Sequence, residues 1–244
     1  MAKTTIITCT QLPTYRLGYL EEAWRSLQAQ TQQDFRWLVV LDAPQNPVPE
    51  FLNDPRITVL RSIEHIGQAA ARNRALERIT TPYVCTLDDD DVLPSASVET
   101  REQALNEDPR LGWIGGHMAD MAPNGNVAGR WEQPARAGAY PPGRLLDEWG
   151  SPERYFVALT HTFTMRTLLV RDIGGWHPDG SIEDIGLLAR LSERHRGLIV
   201  DDVFYQWRKH PRQATNSLDA EVERVAMSRH VWQKARALGQ QRAA

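Results

Sequence analysis

The stretch Tyr83-Val84-Cys85-Thr86-Leu87-Asp88-Asp89-Asp90-Asp91-Val92-Leu93-Pro94 constrains this chain more than any other. Residues suited to a buried strand run directly into four carboxylates, and Pro94 and Ser95 then open a helix-starting segment. In an extended chain side chains alternate, so Asp88 and Asp90 are expected on one side and Asp89 and Asp91 on the other. Four adjacent negative charges repel one another unless something positive lies between them. A hard divalent cation answers that need, because Mg²⁺ and Mn²⁺ favour carboxylate oxygens and often share them with substrate phosphates. A solvated acidic turn capping the next helix answers it as well, since Asp near a helix N-terminus is favourable on its own. These residues alone leave the two readings level.

The segments ahead of that stretch say what kind of sheet it joins. Residues 4–10 are β-branched and mostly apolar, which predicts a strand buried on both faces. Tyr19, Leu20, Ala23, Trp24 and Leu27 fall on one face of a helix. A second strand over 35–41 ends at Asp42, and a third, shorter one covers 56–60. A helix over about 67–78 follows, with Ala69, Asn73 and Leu76 spaced for an inner face. Strand, helix, strand, strand, helix, strand predicts an α/β domain with a mostly parallel central sheet flanked by helices. Open parallel sheets bind ligands beyond the carboxyl ends of their strands. Residues 8–11, Asp42 and the aspartate run would share that rim.

Downstream, the spacing predicts a helix over 95–106 and a strand over 111–121, turned by Asn124-Gly125 into a hairpin with 127–131. Residues 132–150 are rich in Pro, Gly and Ala, a long loop suited to a binding flap or a plain surface loop. A strand over 159–166, a short helix and Ile173-Gly174-Gly175-Trp176 come next. A helix over 181–195, a strand over 198–207 ending near His210, and an amphipathic helix over 218–238 (Leu218, Val222, Val225, Trp232) complete the pattern. No Gly/Ser linker divides the chain, so one domain is expected over 1–244. Its halves fall at about 1–110 and 111–215, with a C-terminal helix over 216–244.

Composition narrows the partners. With 28 basic against 31 acidic residues the net charge is −3, which gives no footprint for nucleic acid or an anionic membrane. No apolar run approaches the roughly 20 residues of a spanning helix, and no signal peptide is evident. Cys9 and Cys85 lie in apolar, strand-like runs and read as reduced core residues of a cytoplasmic protein.

Three further features carry chemistry. Ser181-Ile182-Glu183-Asp184 is nearly a capping box, though that motif prefers Glu or Gln at its last position. Equally, a carboxylate at that helix start, beside Gly174-Gly175 and the aromatic face of Trp176, can act as a general base towards a bound hydroxyl. Arg72 flanks Asn73 and can reach the rim to pair with phosphate, although helix-surface arginines are usually just solvated. His210 is either an incidental loop histidine or an imidazole ligand to a metal. Trp113 and Trp131 belong to the core or to an acceptor cleft.

Four segments, in this order, give a resemblance. Residues 27–35 (Leu-Gln-Ala-Gln-Thr-Gln-Gln-Asp-Phe) form a helix-to-strand passage, and residues 67–73 (Gly-Gln-Ala-Ala-Ala-Arg-Asn) a glycine-led helix start. Leu87 to Asp91 is similar to a DxD motif, and Ile173-Gly174-Gly175-Trp176 followed by Glu183-Asp184 to an acceptor-side pair. Together they make the chain resemble the family 2 glycosyltransferases with the GT-A fold, from the first strand to about His210. That resemblance implies a nucleotide-diphosphate-sugar donor, a UDP-sugar foremost, a divalent Mn²⁺ or Mg²⁺, and a hydroxyl-bearing acceptor (small molecule, peptide or glycan). It assigns Thr8, Thr10, Asp42, Arg72, Asp88 and Asp89 to the donor, and Asp90, with Asp88 and His210, to the metal. It makes Asp184 the base, with Glu183 and Trp176 on the acceptor side. Two departures fall on the nucleoside pocket. Thr8-Cys9-Thr10-Gln11 stands where Pro-Thr/Ser-Tyr-Asn is usual, and Leu41-Asp42-Ala43-Pro44 where Asp-Asp-Gly-Ser is common. A nucleotidyltransferase of related fold is a second reading, but Gln11-Leu12-Pro13-Thr14 lacks the Gly-rich, basic loop it needs. An inactive sugar-nucleotide-binding subunit is a third, and the joint presence of Asp88, Asp90 and Asp184 argues against it.

Overall fold

Alternation along the first strand sorts its side chains into two cores. In the computed structural model, which describes residues 2–131, 134–179, 182–213 and 218–240, β1 (Thr4–Thr10) is buried along its whole length. Ile6 packs with one cluster and Ile7 and Cys9 with the other. Parallel partners β2 (Phe35–Asp42) and β4 (Tyr83–Thr86) flank β1, and β3 (Ile57–Ser62) pairs in parallel outside β2. Helix α1 (Leu17–Gln28) covers one face by burying Leu20, Ala23, Trp24 and Leu27, the stripe its spacing predicts. Trp24 stacks flat on Trp37, centroids 5.5 Å apart. Each of these large side chains contributes about 1.5–3 kcal/mol by leaving water.

Helix α2 (Gln68–Leu76) covers the opposite face through Ala71, Arg72, Ala75 and Leu76. The inner face is therefore rotated from the expected Ala69, Asn73 and Leu76. Asn73 pins a distant loop to the helix instead. Its side-chain amide donates to the Trp176 carbonyl (2.6 Å) and accepts from the Trp176 N–H (2.9 Å).

The rest of the sheet is assembled out of sequence. Strand order is β3-β2-β1-β4-β8-β5-β9-β7, with β6 hairpinned onto β5. Here β5 is Trp113–Met121, β6 Val127–Trp131, β7 Gly138–Tyr140, β8 Thr164–Arg166 and β9 Gly197–Arg208. Of the described strands, β6, β7 and β8 run against the others, so the sheet is mixed but mostly parallel. The remaining helices are α3 (Ser97–Glu107), α4 (Arg144–Trp149), α5 (Thr167–Asp172), α6 (Glu183–Arg194) and α7 (Leu218–Gln240).

Several local expectations are corrected. Residues 159–166 do not form one strand: Thr160–Thr162 is a 3₁₀ turn, and only β8 pairs. The Thr162 hydroxyl explains the break, because it donates to the Leu159 carbonyl (2.7 Å) and accepts from the Gly116 N–H (3.2 Å) in competition with a ladder. Residues 134–150 are not a featureless loop. They hold β7 and α4, anchored by buried Tyr140, Leu145, Leu146 and Trp149. Trp113 is core and Trp131 stands exposed on the β6 hairpin. Ser181 and the side chains of Leu218, Val222 and Val225 lie outside the described residues. Among the described residues no helix is long and apolar enough to cross a membrane.

Candidate active site

The site begins where β4 stops. The Asp91 N–H donates to the Asp88 carbonyl (3.3 Å), so the chain turns at once and strict alternation does not continue through the aspartates. Asp88, Asp90 and Asp91 instead converge, each offering an oxygen within 4.8 Å of the others. Strand β9 fixes the turn from beneath. The Tyr205 hydroxyl donates to Asp91 (2.9 Å) and accepts from the Asp88 N–H (3.0 Å), while the Arg208 N–H donates to Asp91 (2.7 Å). His210, just past β9, brings Nε2 to 2.9 Å from Asp90 Oδ2. Arg16 approaches from the other side. Its Nη2 lies 3.1 Å from the same Asp90 oxygen, and its Nη1 pairs with Asp89, which also accepts from the Thr10 hydroxyl.

Electrostatics follow from this crowding. Burial, resisted by Arg16, pushes the Asp89 carboxyl up to about 6. Burial and the charges of Asp90 and Asp88 push Asp91 well above the usual carboxylate range. For Asp88 burial is outweighed by His161, Arg72 and Arg16, which hold its carboxyl below that range. The convergent oxygens are a donor set that a hard divalent cation fits: Asp88 and Asp90 could hold it, with the His210 ring at Asp90.

Beside the turn lies a cavity of about 180 Å³ lined by Cys9, Thr10, Arg16, Asp42, His65 and Asp89, among others. Asp42 shapes its far end by accepting from the N–H groups of Ile66 (2.7 Å) and Gly67 (3.0 Å), with His65 Nδ1 at 2.8 Å. Leu12 and Ala43, directly beyond β1 and β2, both hold left-handed backbone at φ 49° and 52°. Non-glycine residues rarely adopt it, and such strain concentrates at functional rims.

Two expected site residues are elsewhere. Thr8 does not reach the rim: its hydroxyl donates to the Leu87 carbonyl (2.6 Å) and accepts from the Trp37 indole (2.9 Å), wholly inside the core. The Trp176 side chain is 2% exposed and packs in the main core, so it presents no aromatic face to an acceptor. Arg72 is not a free phosphate clamp either. It is buried, with Nη1 on Glu183 and Nη2 3.3 Å from Asp88, and so joins the two halves of the site.

The carboxylates opposite the aspartate run sit at the start of α6. Asp184 Oδ1 accepts from the Ile185 N–H (2.8 Å) and Oδ2 from the Thr160 hydroxyl, so both oxygens are oriented. Glu183 is buried on Arg72, and burial, with Asp184 adding to it and Arg72 opposing, raises its carboxyl. Between the groups stands His161, stacked on the Tyr205 ring. Its Nε2 is 3.7 Å from Asp184 and its Nδ1 3.8 Å from Asp88. Sequence reasoning passed over Arg16, Thr160, His161 and Tyr205. A single residue in a turn leaves no spacing signal, and Tyr205 reads only as a strand aromatic.

Comparison with known proteins gives the family and the fold. The family model described as Glycosyl transferase family 2 matches residues 7–166. An uncharacterized glycosyltransferase of Methanocaldococcus jannaschii is 27% identical over 115 residues, 45% of this chain and 40% of that protein. The teichoic acid poly(glycerol phosphate) polymerase of Staphylococcus epidermidis is 34% identical over 101 residues, 39% of this chain and 14% of its own length. The matched region is thus less than half of either curated relative. Among solved structures, S. aureus TarS 1–349 in complex with UDP-GlcNAc has a TM-score of 0.70 at 17% identity, over 93% of this chain and 66% of that one. The mannosyltransferase PcManGT from Pyrobaculum calidifontis, in complex with GDP-Man and Mn²⁺, has a TM-score of 0.58 at 17% identity, over 96% of this chain and 61% of that one. The structural likenesses concern the fold. With the family match covering most of the sheet and the whole aspartate turn, this chain belongs to glycosyl transferase family 2.

Proposed function

We propose that this chain transfers a sugar from a nucleotide-diphosphate-sugar, a UDP-sugar foremost, to a hydroxyl acceptor, with inversion at the anomeric carbon. One observation carries the reading: Asp184, oriented at both oxygens, faces Asp88 across the single ring of His161. A carboxylate so placed can take a proton from an acceptor hydroxyl while a donor held at the aspartate turn presents its anomeric carbon. The new C–O bond forms on the face opposite the departing diphosphate, through a transition state with oxocarbenium character. A divalent cation held by Asp88 and Asp90, Mn²⁺ or Mg²⁺, would supply charge neutralisation for that leaving group. Thr10 and Asp42 line the cavity expected to take the nucleoside, and Asp89 stands between it and the turn. Glu183, locked on Arg72, stands beside the base on the acceptor side. Residues 1–110 then form the donor half and 111–215 the acceptor half. The sugar-nucleotide complexes of TarS and PcManGT support a donor of this class, and PcManGT's Mn²⁺ supports the metal. Two unpaired buried cysteines support a cytoplasmic setting.

Two variants separate chemistry from binding. Asp184→Asn is expected to lower sugar transfer by about 10²–10⁴-fold, the usual worth of a positioned base, and to leave nucleotide-sugar binding intact. Asp90→Ala is expected to abolish the Mn²⁺-dependent thermal shift produced by UDP-sugars. Near-normal turnover in Asp184→Asn would remove the base assignment.

A further inference from the structure

Arg16 is the one described cation that touches both the nucleoside cavity and the aspartate turn. Its guanidinium lies across Asp89 and Asp90 with only 18% of the side chain exposed. Asp90 Oδ2 already receives Arg16 Nη2 and His210 Nε2, at 3.1 and 2.9 Å. A cation bound at that oxygen would sit at about 2.0–2.6 Å from it, inside the shell that Arg16 now fills. Like charges so close exclude one another in a shielded site. The arginine is also poorly tied elsewhere. Its Nε is buried without a hydrogen-bond partner among the described residues, although its backbone is fixed where the 3₁₀ turn Thr14–Arg16 runs into α1. The fork's ion pairs go to the two carboxylates, with the Tyr15 ring 5.7 Å from its centre, and a diphosphate entering the adjoining cavity offers that fork two strong anionic acceptors.

On the donor-site reading above, we infer that Arg16 is a tethered counter-ion of the aspartate turn that hands its place to the divalent cation and moves onto the donor's diphosphate. Metal and nucleotide then bind as a couple, because each frees a partner the other needs. Linkage requires the effect to be reciprocal: whatever the nucleotide adds to metal affinity, the metal adds to nucleotide affinity.

Removing a counter-ion of this kind has two effects of opposite sign, which removing a merely structural arginine does not. Mn²⁺ binding without nucleotide, followed by loss of the free-ion electron paramagnetic resonance signal, is expected to tighten by about fivefold or more in Arg16→Ala. UDP and GDP binding in EDTA, followed by calorimetry, is expected to weaken by about fivefold or more in the same variant. Arg16→Lys, which keeps the charge without the fork, should fall between on both measures. If both affinities fall together, or neither moves, the counter-ion role is overturned. If the wild type takes up no Mn²⁺ even with UDP or GDP present, the donor-site reading itself fails, and this inference with it.

Discussion

Cys9 lines the cavity beside the aspartate turn, yet its thiol is poorly suited to react. Burial pushes it up to about 12; Arg72 opposes, while Asp88, Asp42 and Asp89 reinforce the rise. Cys85, completely buried in β4, is raised by burial as well. Thiolate is the reactive form, so iodoacetamide at pH 8 is expected to leave both cysteines unmodified in the folded protein and to label both in urea. Rapid labelling of Cys9 in the native state, read by mass spectrometry, would contradict the burial of its thiol. Single residues divide sharply in how far sequence revealed them. Asp88–Asp91 stood out because four carboxylates at a strand end repel one another, whereas Glu183-Asp184, by itself close to a capping box, drew its role from the family resemblance. Thr8 misled because its place in the strand says nothing of the Leu87 carbonyl and Trp37 indole that claim its hydroxyl. Arg16 and His161 were silent, since their roles arise from residues more than seventy positions away or from the opposite wall.

At the scale of elements, the approach to α6 depends on how the 174–176 turn meets α2. Gly175 has φ 68°, and a Cβ there would collide with the Asn73 amide that pairs with the Trp176 backbone. Gly175→Ala is therefore expected to cost at least about 2 kcal/mol in urea denaturation, from left-handed strain plus the lost pairing. Gly18 is the matching control. It lies in α1 with nothing within 4 Å of a Cβ, so Gly18→Ala should gain about 0.5–1 kcal/mol. The amphipathic α1 was readable from its stripe because packing followed the apolar spacing. The face of α2 was not, because Asn73 and Arg72 are placed by polar contacts that hydrophobic periodicity ignores. β7 and α4 escaped for another reason: elements of three and six residues amid Pro and Gly carry too few periods to register.

Across the whole molecule, the parallel half of the sheet was legible from the order of its strands, but the placement of β8 was not. A three-residue strand returning antiparallel to the sheet's middle has no local signature. The C-terminal half is cross-braced in the same non-local way. Arg190 of α6 is buried against Asp179 at 3.1 Å and donates to the Gly175 carbonyl at 2.9 Å, while Lys234 of α7 reaches Asp179 at 3.5 Å. Arg190→Met is expected to cost up to about 3 kcal/mol, because it leaves the buried Asp179 carboxylate only the longer contact to Lys234. Adding Asp179→Leu should recover most of that loss, as chemical denaturation of the single and double variants would reveal. The late arrival of β8 also bears on how the protein is made. At about 5–20 residues per second, a ribosome leaves the β4 edge bare for roughly 4–16 seconds before its neighbour emerges. Throughout that interval the nascent sheet exposes a strand able to pair with any passing chain, which makes translation speed between β4 and β8 a determinant of yield.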